Sequence, residues 1–87
     1  MKLDAHHRAT LEKLFQHPTS RNIEWHDVTS LLEGLEAMTS DHDGRMAVSL
    51  GSETETFDRR GRDLDVQQVL DLRRMLRGAG ITPEATA

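Results

Sequence analysis

Arg45-Met46-Ala47-Val48-Ser49-Leu50-Gly51-Ser52-Glu53-Thr54-Glu55-Thr56-Phe57 is the stretch that decides the fold. Met46, Val48 and Leu50 alternate with Arg45, Ala47 and Ser49, which is the period of a strand with one buried face. Gly51-Ser52 is a tight-turn signal. Glu53 to Phe57 alternates again and carries two β-branched threonines, so it reads as the pairing partner. Working back, Asp41-His42-Asp43-Gly44 is a second turn, because Asp-Gly supplies the positive φ angles that short hairpins need. That leaves Glu36 to Ser40 as a first, poorer strand. The reading is a three-stranded antiparallel meander.

Both flanks are helical. Asp65 is an N-cap with Gln68 three residues on, the spacing of a capping box, and Leu64 and Val69 are placed as its hydrophobic staple. Val66, Val69, Leu72 and Leu76 form the expected buried stripe, with Leu70 beside it. Gly78 and Gly80 offer the C-cap, and Pro83 blocks continuation. Upstream, Val28, Leu31, Leu32 and Leu35 make an i, i+3, i+4, i+7 stripe, with Ile23 and Trp25 as packing anchors at its start. Gly34 inside that helix costs about 1 kcal/mol relative to Ala. A first helix spans Asp4 to His17, with Asp4 as N-cap or first-turn acid and Pro18 as its stop. The order is α-α-β-β-β-α. It predicts an α+β, two-layer sandwich in one domain, residues 1–83, followed by a disordered tail at 84–87.

Composition sets the outer limits. The chain has 87 residues, no cysteine, and fifteen acidic against eleven basic side chains, for a net charge of −4. Without cysteine there is no disulfide framework, thiolate metal site or thiol nucleophile. No apolar run approaches the roughly 18 residues of a membrane span. The polar start, MKLDAHHR, is unlike a secretory signal, so a cytoplasmic protein is expected. The acidic balance argues against a broadly basic nucleic-acid face and leaves room only for a local basic patch.

Three stretches then carry a resemblance. His7-Arg8-Ala9-Thr10-Leu11-Glu12 is followed by Pro18-Thr19-Ser20. Ile23-Glu24-Trp25-His26-Asp27-Val28 runs into Leu31-Leu32. Leu72-Arg73-Arg74-Met75-Leu76 precedes Ala79-Gly80-Ile81. In this order and spacing the chain resembles the long subgroup of the HicA (YcfA-like) family of bacterial toxins. The resemblance implies a core similar to the double-stranded-RNA-binding domain, helix, three strands, helix, with an extra N-terminal helix. It also implies RNA, in the form of mRNA, as ligand, metal-independent RNA cleavage as activity, no cofactor, and a HicB-like antitoxin as partner. The family's ribonuclease histidine begins the second strand; here Arg45 stands at or beside that place, after Gly44. The His-x-Pro-His-like stretch after the third strand is replaced by Asp58-Arg59-Arg60-Gly61-Arg62.

The residues themselves point to two chemistries. Metal-free RNA cleavage is best served by a side chain titrating near neutrality, and His42 is the nearest histidine. Its place between Asp41 and Asp43 suits an acid more than a base; the alternative is a solvent-exposed turn residue. Arg45, Arg59, Arg60 and Arg62 fall at one end of the predicted sheet and could hold an RNA backbone through bidentate phosphate contacts. The alternative is an exposed loop whose arginines are offset by Asp58 and Asp63. Asp4, His6 and His7 are too few for a zinc site, so no metal is expected. His17 and His26 read as surface or capping residues. Two functions stay open: an RNA-binding member of the toxin family, cleaving or not, and a noncatalytic interaction module that binds an antitoxin or a second copy. A sheet-edge protein-binding domain unrelated to toxins is a third.

Overall fold

A computed structural model describes residues 3–86. Its order is α1 (Ala5–Leu14), α2 (Trp25–Gly34), β1 (Met38–His42), β2 (Arg45–Leu50), β3 (Glu53–Asp58) and α3 (Val66–Gly78). The sheet is antiparallel throughout, in the order β1-β2-β3. The chain is thus a small α+β domain in which the helices cover one face of a three-stranded meander.

Alternation along β2 decides which face is covered. Met46, Val48 and Leu50 are buried, as is Phe57 opposite Met46 on β3. They join Leu11 and Leu14 of α1, Val28, Leu31 and Leu32 of α2, and Val69, Leu72, Met75 and Leu76 of α3 in one core. Trp25 is buried against Phe57, with ring centroids 5.8 Å apart and planes at 59°, a tilted pairing that aromatic quadrupoles favour.

The turns and caps follow local chemistry. Asp43 and Gly44 both have positive φ, 52° and 79°, as a two-residue type I′ hairpin requires. Asp4 accepts from the His7 backbone N–H and caps α1. Asp65 and Gln68 form the reciprocal capping box of α3. At the other end of α3 the Ile81 N–H donates to the Leu76 carbonyl and the Gly80 N–H to that of Arg77. With Gly80 at φ 78° and Ile81 buried, this is a complete Schellman closure.

Several expectations are corrected. α1 ends at Leu14, not His17, with Phe15 as its C-cap. β1 is Met38–His42, not Glu36 to Ser40, because Leu35, Glu36 and Ala37 are spent closing α2: the Ala37 N–H donates to the Leu32 carbonyl and Glu36 takes φ 59°. His42 therefore ends a strand and pairs with Arg45; it is not a turn residue. Val66 is 47 % exposed, since as the first helical residue it faces outward, and the buried face of α3 takes in Arg73 and Met75 instead. The segment 82–86 takes a turn closed on Thr82. The Thr86 N–H donates to the Thr82 carbonyl and the Ala85 N–H to the Thr82 hydroxyl; Ala87 lies outside the described residues. Among the described residues no helix is long and apolar enough to cross a membrane.

Candidate nucleic-acid interface

The uncovered face of the sheet is set by register. Residues directly opposite in an antiparallel pair share a face, which gives three rows: Met38-Ser49-Thr54, Ser40-Ala47-Thr56 and His42-Arg45-Asp58. The first two rows are mostly small and hydroxyl-bearing, with a 2.8 Å hydrogen bond between the Ser49 and Thr54 side chains. The third row carries the charge. Trp25 and Phe57 are buried, and Phe15 lies under the Arg77 guanidinium at 5.6 Å, packed against the core. Among the described residues no aromatic ring lies on the open face as a platform for stacking bases.

The end of the sheet marked by His42, Arg45 and Asp58 is where the β1–β2 turn meets the loop after β3. The Arg59 N–H donates to the Gly44 carbonyl at 2.9 Å. The Arg60 stem lies across Gly44, against the place a Cβ would take. The loop is held at its other side too. Gln68 donates to the Asp58 carbonyl at 2.6 Å. The Trp25 N–H donates to the Arg62 carbonyl, the Leu64 N–H donates to the Ile23 carbonyl, and Glu24 bridges Asp63. Arg45 and Arg60 stand beside Asp58 on the open face, whereas Arg59, though its backbone meets the turn, sends its guanidinium to Asp41, whose register partner Met46 lies on the covered face. Arg62 stands further along, where the loop joins the start of α2.

Three of the four guanidiniums meet a carboxylate. Arg59 Nη1 donates to both Asp41 oxygens, at 3.3 and 3.1 Å. Arg60 holds Asp58 through two nitrogens, Nε to Oδ1 at 3.0 Å and Nη2 to Oδ2 at 2.6 Å, and its own backbone N–H donates to Oδ1 at 3.1 Å. Arg62 Nε reaches Asp63 Oδ1 at 3.3 Å. Those bonds from Arg60, with a smaller contribution from Arg45, lower the Asp58 carboxyl from 3.8 to about 2, and Asp58 in turn raises Arg60. Among the described residues Arg45 forms no ion pair. All of these groups lie at the surface, where ion pairs exchange readily with solvent and other anions.

His42 is 89 % exposed in its side chain, and its Nε2 lies 3.3 Å from Asp43 Oδ2, equally exposed. Nothing orients it toward a reacting atom. His6 and His7 do not form a plain polar face; they link two helices. His6 Nε2 meets Asp27 Oδ1 at 2.9 Å, and His7 Nε2 meets the Ser30 hydroxyl at 2.9 Å. His17 and His26 are exposed. Sequence reasoning missed Asp41 and Gln68 as parts of the corner. Gln68 was visible as a cap residue, whereas Asp41 reaches Arg59 only once the register of β1 is known. Comparison with protein-family models, curated proteins and solved structures gives no match to this chain.

Proposed function

We propose that this chain is an RNA-binding domain of the HicA-like, double-stranded-RNA-binding type, which holds a phosphate backbone against its arginine corner and does not cut it. The observation that carries the reading is the placing of Arg45 and Arg60 beside Asp58 on the open face at the Gly44 turn, with Arg59 at the rim of the sheet and Arg62 next along the same loop. Guanidiniums match phosphate geometrically, and phosphate contacts position a protein on nucleic acid without needing base-stacking aromatics. Cleavage is left out of the reading because His42 projects into solvent beside its chain neighbour, with no second group among the described residues set to act with it.

The test is fluorescence anisotropy with a duplex RNA of about 16 base pairs and a single strand of equal length, at about 50 mM salt. Salt-sensitive binding is expected, falling at least tenfold when Arg59, Arg60 and Arg62 are all changed to Glu. Unchanged binding by that variant overturns the reading. The RNA should stay intact; cleavage that His42→Ala abolishes would restore the ribonuclease function.

A second reading, the noncatalytic interaction module, is favoured by β1. All five of its residues are exposed, it lies at the sheet edge, and Met38 is 75 % exposed. Free strand edges accept another strand, from a HicB-like antitoxin or a second copy. Light scattering on the purified chain, alone and with such a partner, decides that reading.

A further inference from the structure

We infer that the arginine corner is self-masked: Asp41, Asp58 and Asp63 occupy the phosphate positions of Arg59, Arg60 and Arg62, and an RNA phosphate binds by displacing them. The inference rests on the RNA-binding reading and concerns how that same site is regulated.

A carboxylate and a phosphate present comparable oxygen pairs to the guanidinium fork. Asp58 takes that fork in full, with two side-chain nitrogens on its two oxygens and a backbone N–H besides. Asp41 places both of its oxygens on one nitrogen of Arg59. Asp63 makes a single contact, to Arg62 at 3.3 Å. With Asp43 at the turn and Asp65 lining the same hollow as Asp58, Arg60 and Asp63, the corner sets five aspartates against its four arginines. It therefore carries no net positive charge as built and exerts little long-range pull on a polyanion, in keeping with a net charge of −4. The partners come from different elements: Asp41 from β1, Asp58 from the end of β3, and Asp63 from the loop itself. The four arginines differ accordingly. Arg45 is open to the first phosphate, and the others are released one carboxylate at a time.

Salt dependence reads this directly. Binding to nucleic acid draws its salt sensitivity from condensed counterions that the protein's cations displace. An arginine that keeps its aspartate makes no phosphate contact and displaces none. Each arginine unmasked should steepen the slope of log K against log salt by up to about 0.9.

The experiment compares wild type, Asp58→Asn, Arg60→Ala and the double variant on the duplex RNA, with circular dichroism and thermal melting to show that each is folded. Asparagine keeps an oxygen for the Arg60 backbone N–H and removes the charge. Glu12→Gln on α1, outside the corner, controls for net charge. The expected result is roughly 3- to 10-fold tighter binding and a steeper salt slope for Asp58→Asn, with no such gain from Glu12→Gln or from Asp58→Asn in the Arg60→Ala background. An equal gain in both backgrounds means that only overall charge changed, and overturns the mask. Unchanged or weaker binding by Asp58→Asn, with wild type still binding, also overturns it and leaves the RNA reading standing. Failure of all variants to bind removes the RNA reading and the mask together.

Discussion

Gly34 stands in the last turn of α2, where alanine would ordinarily be favoured by about 1 kcal/mol. The structure gives the reason for its presence. A Cβ there would lie 2.8 Å from Nδ1 and 2.9 Å from Cε1 of His7, whose ring is held in the helix–helix seam by Ser30. Gly34→Ala should therefore destabilise the fold by about 1 kcal/mol or more, despite the gain in helix propensity. Adding His7→Ala should recover most of that loss relative to His7→Ala alone, because the clash is gone. Urea denaturation of the four-member cycle measures the coupling. A second prediction at this scale concerns pH. The Asp58 carboxyl is lowered to about 2 by its bonds to Arg60. A lowered acid stabilises the folded chain above its unfolded pKa and loses that contribution as pH falls through the folded value. The difference in melting temperature between wild type and Asp58→Asn should be present near pH 5 and shrink between about pH 4 and pH 2.

The elements differ in how openly the sequence announces them. α3 is legible at both ends because its signals are local: Asp65 and Gln68 cap one another, and Gly80 and Ile81 close the far end. Gly80 sits at φ 78° with open space around it, so backbone conformation alone sets its role. Gly80→Ala should cost about 1 kcal/mol, measured by urea denaturation, and the loss should not depend on neighbouring side chains. β2 and β3 are legible through their period of two. β1 is not, since Met38 to His42 are all exposed and show no alternation; its place is fixed by pairing with β2 and by the closure of α2. The arginine corner divides the same way. That Arg45 and the 59–62 loop share an end follows from a meander. That Asp41 would pair with Arg59 does not, because it depends on a register that β1 itself does not encode.

For the molecule as a whole, the least foreseeable residue is Arg73. It reads as one of a charged run on α3, yet it is 5 % exposed. Its Nε donates to the Leu14 carbonyl at 2.7 Å and its Nη2 to the Gln16 carbonyl at 3.2 Å. Helix α1 ends on carbonyls that have no partner within the helix, and a cation there is favoured by the helix dipole. Arg77 over Phe15 extends the same joint. Arg73→Ala should destabilise the domain by about 2–4 kcal/mol, read by urea denaturation, because it leaves the buried Leu14 carbonyl unpaired as well as a cavity. Arg73→Lys should not restore wild-type stability, since a single ammonium lacks the planar fork that spans both acceptors.

This joint also orders events during synthesis. Leu14 and Gln16 leave the ribosome early, whereas Arg73 lies 59 and 57 residues later. Helix α1 can meet α2 early, through His6 and Asp27 and through His7 and Ser30, but the cap that Arg73 places on its last carbonyls forms only after α3 has emerged. A chain engaged before α3 emerges therefore presents the end of α1 with its last carbonyls uncapped, a feature the finished molecule closes.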